Sequence, residues 1–392
     1  MYFNRILGGA FLTAALLLSA CGGEATTSTS APATATTAPA TAPTEAATAT
    51  PAATATAAVP MATEAAPATG TSAAAVPTPY TGPVQKVSLA LDWTPNTNHT
   101  GFYVAQQKGW YKEQGIDLEI LPYSDAASPD ALVAAGKADF AISFVEQVVI
   151  DRVSDLPVRS VAAIVQHNTS ELATLKSSGL DRPAKLAGKR YAGFGTPYEE
   201  PVIADVIKCD GGPATPIQNI TTNTGGYQAL VAKQADFVWI YKGWEALQAK
   251  HDNVELNEFL VRDYCVPDYY SPVIITSEAF LKDKTDVGRR FMAATARGFE
   301  FAIQQPDQAA DLLIAGNPPG SFPDAALVHE SAQYLAKEYQ AEAPRWGDQT
   351  LQVWSGYPKF MLETGRLEDA NHQKVTSLDY AVMFTNELLP AK

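Results

Sequence analysis

A chain of 392 residues with 46% hydrophobic and 18% charged side chains has the composition of a soluble protein, long enough for two domains. Its formal net charge of -14 argues against a nucleic-acid partner, because phosphate binding needs a basic face. Its three cysteines, Cys21, Cys209 and Cys265, are too widely spaced for a metal site, and no metal is expected.

In chain order, Arg5 and the apolar run from Ile6 to Ala20 predict a signal peptide over residues 1–20, with a core too short to span a bilayer comfortably. Leu18-Ser19-Ala20-Cys21-Gly22 looks like a bacterial lipobox, which predicts lipidation of Cys21 and attachment to the outer face of the cell membrane. An ordinary signal peptide with a chance cysteine is the alternative. Residues 21–85 are almost entirely Ala, Thr, Pro and Ser; such a segment cannot bury a core and reads as a disordered tether. If Cys21 is lipidated, Cys209 and Cys265 remain either to pair or to be buried thiols.

From Lys86 onward, strands alternate with helices. Val87–Leu91, Ile116–Leu121 and Phe140–Ser143 are apolar runs of strand length, with helical stretches at Phe102–Gln114 and Ala126–Ala135. This alternation predicts an α/β fold with mostly parallel sheet. "ALVAAGKADFAI" at 131–142 is echoed by "ALVAKQADFVWI" at 229–240. Each reads as a helix end, a tight turn, an Asp and a buried strand, so two domains of similar build are expected. The C-terminal third is helical: "VGRRFMAATARGFEFAIQQP" carries apolar residues at helical spacing and stops before Pro306, and "LVHESAQYLAKEY" reads similarly.

No nucleophile elbow, zinc-protease helix, P-loop or dinucleotide fingerprint is present, so neither catalysis nor a cofactor is expected. Four loops instead suit the holding of an intact ligand: Trp93 to His99, "GFGTPYEEP" at 193–201, "VWIYKGWE" at 238–245 and "CVPDYYSP" at 265–272. Each follows or interrupts a strand, where open α/β sheets place ligand crevices. Trp and Tyr faces can sandwich a flat ring while carboxylates and amides take the N–H and oxygen groups at its edge. The candidate ligand contacts are Trp93, Asn96, His99, Phe144, Tyr198, Glu199, Glu200, Trp239, Tyr241, Trp244, Asp268 and Tyr270. His99, beside Asn and Thr in a loop, reads as a hydrogen-bonding element rather than a base. Trp110 and Tyr111 continue a helix and belong to the core, Trp239 lies in a strand that could face inward, and Tyr269 and Tyr270 alternate, so at most one meets a given cleft.

"LDWTPNTNHTGFYVAQQKGWYKEQGIDLEI" resembles the opening signature of the NMT1/THI5-like group of ABC-transporter substrate-binding proteins. "KADFAIS", "GKRYAGFGTPYEEPVI", "VPDYYSPVIITSEAFL", "ARGFEFAIQQPDQA" and "FTNELL" extend the resemblance over nearly all of residues 86–392. It implies a type II periplasmic-binding-protein fold: domain 1 from 86–180 plus 272–392, domain 2 from 181–271, crossings near Ser177–Lys185 and Asp268–Pro272, and a ligand cleft between. It also implies a monomer that delivers its ligand to a membrane permease of an ABC importer. The group includes an enzyme that builds the thiamine pyrimidine from its own histidine. The matching position here is Gln147, and "VPDYYSP" has no cysteine where the enzyme's iron-site segment is cysteine-rich, so that activity is not expected. One bacterial branch binds a formylaminopyrimidine, a thiamine precursor, and another binds riboflavin. Thr94 replaces the pyrimidine branch's usual aromatic, and Trp239, Tyr241 and Trp244 enlarge the aromatic surface, which favours riboflavin; Glu200 matches an acidic position of the pyrimidine branch.

Overall fold

The computed structural model describes residues 80–391 apart from 125, 223, 224 and 366. The expected signal peptide, Cys21 and the tether up to residue 79 lie outside the described residues. The tether was expected to run to residue 85, but Tyr80 already packs against the first lobe. The Tyr80 amide donates to the Glu113 carbonyl at 2.8 Å, and the Arg290 guanidinium lies 3.9 Å from the Tyr80 ring centroid.

The strands are β1 (Gln85–Ala90), β2 (Ile116–Leu121), β3 (Phe140–Ser143), β4 (Val158–Ala163), β5 (Ser170–Leu175), β6 (Arg190–Gly193), β7 (Gln218–Thr221), β8 (Phe237–Tyr241), β9 (Leu256–Leu260) and β10 (Val273–Ser277). They form two five-stranded sheets, in the orders β2-β1-β3-β10-β4 and β7-β6-β8-β5-β9. The sheets share one plan. β1 runs parallel to β2 and β3, as β6 does to β7 and β8, and β10 is antiparallel to its neighbours, as β5 is to its own. The sequence echo falls on equivalent places in this plan. Asp139 before β3 accepts the Ser88 amide of β1 at 3.0 Å, and Asp236 before β8 accepts the Arg190 amide of β6 at 2.9 Å. In both lobes the carboxylate takes a strand N–H that the ladder leaves over.

The helices are α1 (Thr100–Gln107), α2 (Trp110–Glu113), α3 (Pro129–Ala134), α4 (Val145–Val153), α5 (Glu199–Cys209), α6 (Gly226–Val231), α7 (Leu247–His251), α8 (Glu278–Asp283), α9 (Thr285–Gln304), α10 (Pro306–Ala315), α11 (Ala325–Glu338) and α12 (Leu351–Glu363). Residues alternate between the faces of the first sheet. Phe140 and Ile142 enter a core with Phe102, Phe291, Phe299 and Trp346, while Ala141 joins a second core with Val148, Trp354 and Tyr357. The α1–α9 contact depends on two glycines. A Cβ on Gly298 would lie 2.0 Å from the Gly101 carbonyl oxygen, so the helix backbones touch where no side chain fits. Trp110 and Tyr111 are packing residues; the Tyr111 hydroxyl meets Thr295 at 2.8 Å.

The chain passes from the first sheet to the second over residues 164–169 and returns over 261–272. This corrects the expected first crossing at Ser177–Lys185: β5 belongs to the second sheet, so 170–180 leaves domain 1. The Gly179–Pro183 stretch lies within the second lobe, where Gly179, at φ 72°, ends a short turn. The real crossing is polar, and its Asn168 side chain accepts the Ser170 amide at 2.8 Å. Cys209 and Cys265 form a disulfide that ties the end of α5 to the return crossing. No described helix is long and apolar enough to cross a membrane.

Candidate functional site

A cavity of about 400 Å³ is lined by both lobes. The first lobe supplies the loop after β1, the start of α3 and the β3–α4 junction. The second supplies the loop after β6 and the end of β8.

The loop after β1 is held by its own polar residues. The Asn96 side chain accepts the Asn98 amide at 2.8 Å, and the Asn96 amide donates to His99 Nδ1 at 3.3 Å. An accepting Nδ1 leaves the proton on Nε2, which donates to Asp92 at 2.9 Å. The Tyr339 hydroxyl donates to the Thr97 carbonyl at 2.6 Å from behind. The bonds of Asn96 and His99 fix a turn that holds Trp93 at the cavity, and Asn98 itself lines the cavity. His99 itself is 0% exposed and is not a lining residue, so the expected ligand contact is a loop brace.

Trp93 meets Phe194 of the opposite lobe edge-on, with ring centroids 4.7 Å apart at 68°. Phe144 and Tyr241, also from opposite lobes, lie nearly parallel at 19° with centroids 6.5 Å apart. Tyr198, Trp239 and Trp244 complete an aromatic wall, with Tyr123 beside Trp93.

The acidic residues sort differently from the sequence expectation. Glu199, at the start of α5, is 2% exposed and accepts four hydrogen bonds: from the Tyr191 hydroxyl at 2.8 Å and from the amides of Phe194, Gly195 and Thr196 at 3.0, 2.8 and 2.8 Å. The loop after β6 is thus wrapped on one carboxylate, which has little capacity left for a ligand. Glu200 is exposed and lines no described cavity, because the next helical position turns it to solvent. Asp268 and Tyr270 are also not lining residues. Asp268 accepts the Asn168 amide at 2.9 Å and pairs with His167, joining the two crossings; the Tyr270 hydroxyl accepts the Thr350 amide at 3.0 Å. The structure therefore brings Trp93, Asn96, Phe144, Tyr198, Glu199, Trp239, Tyr241 and Trp244 together, and leaves His99, Glu200, Asp268 and Tyr270 outside.

Asp130, Glu146 and Glu245 line the cavity and were missed by the sequence reading. Asp130, in the first turn of α3, bonds the Ser143 hydroxyl at 2.5 Å. Burial, and then the neighbouring Asp151 carboxylate, push its carboxyl well above the usual range. Burial raises Glu146 to about 7, partly offset by a hydrogen bond from Tyr269. Glu245 is raised by burial while accepting the Tyr241 amide at 3.0 Å. The only available signal was an acid set among apolar neighbours, as in "FVEQVV" around Glu146. Among the described residues, five carboxyl side chains line the cavity and no Lys, Arg or His does. No group of three or more His, Cys, Asp or Glu among them could hold a metal ion.

Residues 96–309 match the family model described as NMT1/THI5 like. The chain belongs to the NMT1/THI5-like family. It is 29% identical to the formylaminopyrimidine-binding protein of Halalkalibacterium halodurans over 69% of this chain and 83% of that one. It is 26% identical to the riboflavin-binding protein RibY of Chloroflexus aurantiacus over 78% of this chain and 87% of that one. Among solved structures, the ligand-binding component of an ABC-type import system from Staphylococcus aureus superposes with a TM-score of 0.59 at 13% identity, covering 78% of this chain and 97% of that one. At that identity the likeness shows the fold: this NMT1/THI5-like chain has the two-lobed periplasmic-binding-protein architecture.

Proposed function

We propose that this protein is the solute-binding component of an ABC importer. It captures a planar amino-substituted heterocycle, of the formylaminopyrimidine class, and hands it unaltered to a membrane permease. The observation that carries the reading is the lining of the cavity between the lobes: aromatic rings from both sides, five carboxyl groups and no cationic side chain among the described residues. Such walls suit a flat ring with N–H donors or a protonatable nitrogen at its edge, and they disfavour an anion. The name of the Halalkalibacterium relative supports the same class. Aromatic contacts supply about 0.5–1.5 kcal/mol each beyond area burial, and a preformed shell limits the ordering cost.

Riboflavin, which the enlarged aromatic surface favoured in the sequence, is the second reading. Trp239, Tyr241 and Trp244 all line the cavity, and the Chloroflexus relative is named for that ligand. The isoalloxazine edge is rich in acceptors, however, and the carboxyl lining offers it few donors. The pyrimidine therefore becomes the lead. A synthase activity is disfavoured: Gln147 lines the cavity where the enzyme's donor histidine is expected, and its side chain donates to Asp151 at 2.8 Å. Lipid attachment at Cys21 completes the proposal and is tested by loss of acyl labelling in Cys21→Ser. Native mass spectrometry of the full chain, with formylaminopyrimidine and riboflavin in competition, tests the ligand. Retention of intact pyrimidine is expected; retention of neither overturns the reading.

A further inference from the structure

Glu146 occupies an unusual position. It stands in the first turn of α4, lines the cavity and is 3% exposed. One carboxyl oxygen, Oε1, takes the Tyr269 hydroxyl. The other, Oε2, is buried without any hydrogen-bond partner. Of the five cavity carboxyls, only Glu146 has a buried oxygen left in that state among the described residues. Asp92, Asp130, Glu199 and Glu245 each accept a hydrogen bond from the protein, and none appears among the buried unpartnered oxygens. Native proteins rarely leave such an atom unmatched unless it has a use.

The carboxyls of Asp92, Asp130, Glu199 and Glu245 line the same cavity as Glu146. Among the described residues, four phenols interact with Glu146: Tyr198 at the start of α5, Tyr241 at the end of β8, Tyr269 in the return crossing and Tyr357 in α12. Burial raises each of them well above the usual phenol range, so all four are neutral at physiological pH. No ion pair among the described residues includes Glu146. Tyr269 is itself stacked on Tyr357, with ring centroids 3.9 Å apart at 27°, which fixes the hydroxyl that holds Oε1. The protein supplies geometry to this carboxyl but no countercharge.

We infer that Glu146 is the residue that selects the cargo, sharing one proton between its Oε2 and a basic ring nitrogen of an aminopyrimidine, with Tyr269 as the positioning residue. The inference rests on the interlobe cavity being the cargo site. It says which class of heterocycle is kept: one whose ring nitrogen can accept a proton. A ring presenting a neutral N–H instead demands the bare carboxylate. The two cases differ in proton balance. With the Glu146 carboxyl raised to about 7 by burial, the free protein is only partly protonated there near neutral pH. A complex with a basic nitrogen holds one, so binding takes up protons; a complex with an N–H donor holds none, so binding releases them.

The test is calorimetry of formylaminopyrimidine binding to the full chain in buffers of different ionisation enthalpy, with tryptophan fluorescence as an independent record of binding. Uptake of less than one proton per site is expected at pH 7, rising toward one as the pH is raised, after correction for the free pyrimidine's own titration. Glu146→Gln keeps an acceptor for Tyr269 and should abolish the uptake. Tyr269→Phe removes the hydrogen bond that lowers the carboxyl and should move the uptake midpoint to higher pH. Binding with no proton exchange, or with release, overturns the role of Glu146 and leaves the transport reading standing. No binding of the pyrimidine overturns both. The wild-type measurement is decisive on its own if either variant fails to fold.

Discussion

Replacing Glu199 by Gln tests how the cavity wall is built. Oε2 of Glu199 accepts the Gly195 and Thr196 amides, both at 2.8 Å, while Oε1 serves Tyr191 and Phe194. A Gln amide oriented to keep Tyr191 and Phe194 points its NH₂ at the other two amides, so donors face donors. Each charge-assisted bond contributes about 1.5–3 kcal/mol, and a buried unsatisfied donor costs about 1–3 kcal/mol. The expected loss in E199Q is about 3 kcal/mol, measured by equilibrium denaturation. Because the same loop carries Phe194, Thr196 and Tyr198 into the cavity, ligand affinity should fall with it. Glu200, one residue on, is exposed, and E200Q should stay within about 0.5 kcal/mol of wild type. Equal stabilities for E199Q and E200Q would refute the claim that one carboxylate organises this loop.

Other outcomes follow from the same structure. The Cys209–Cys265 disulfide closes a loop of sequence separation 56, for which chain entropy gives about 4 kcal/mol; reduction, or the double Ser variant, should lower stability by about 2–4 kcal/mol in denaturant titrations. His167, in the first crossing, lies 2.6 Å from Asp268 in the return crossing and 2.9 Å from Glu342, and is raised to about 9, chiefly by the Asp268 bond. A raised histidine gives stabilisation that is full below pH 6.5 and lost as pH rises through about 9. After allowance for solvent screening the effect is about 1–2 kcal/mol, and it should vanish from the pH–stability curve of His167→Gln. Across the cleft, Lys250 and His251 of the second lobe meet Glu330 at 2.6 and 2.9 Å, and His251 meets Asp324 at 2.8 Å. Exposed pairs of this kind contribute about 0.2–1 kcal/mol each, so removing all three by replacing Lys250 and His251 with Gln should weaken binding by roughly threefold to a hundredfold and shift small-angle scattering toward a more open form.

Local pattern carried much of the fold. β2 and β3 fall where apolar runs bounded by turns place them, and the echoed helix–Asp–strand unit occupies matching places in both sheets. The first crossing, expected at Ser177–Lys185 from the resemblance, falls over 164–169 instead, a stretch with no Gly or Pro to mark it. The site was legible in its aromatic half. Trp93 and Tyr198 follow strand ends and Trp239 lies within β8, and topology gathers strand ends at the cleft. The acidic half was not, since whether a carboxylate serves ligand or backbone depends on its partners in space. Glu199 is taken up by its own loop and Asp268 by the opposite crossing, while nothing local in the sequence marks Glu146 as a cavity residue. His99 fell between: its bonding role was read correctly from its Asn and Thr neighbours, but its distance from the cavity could not be.

Titration of the full chain with formylaminopyrimidine and with riboflavin, followed by tryptophan fluorescence in wild type and in a Trp93→Ala, Tyr241→Ala pair of variants, measures the central claim directly. Saturable quenching by the pyrimidine at one site per chain, weakened at least tenfold in each variant, is the predicted result. Unchanged fluorescence with both compounds, or affinities indifferent to Trp93 and Tyr241, would contradict the account of an aromatic, acid-lined cavity that holds a flat heterocycle between two lobes.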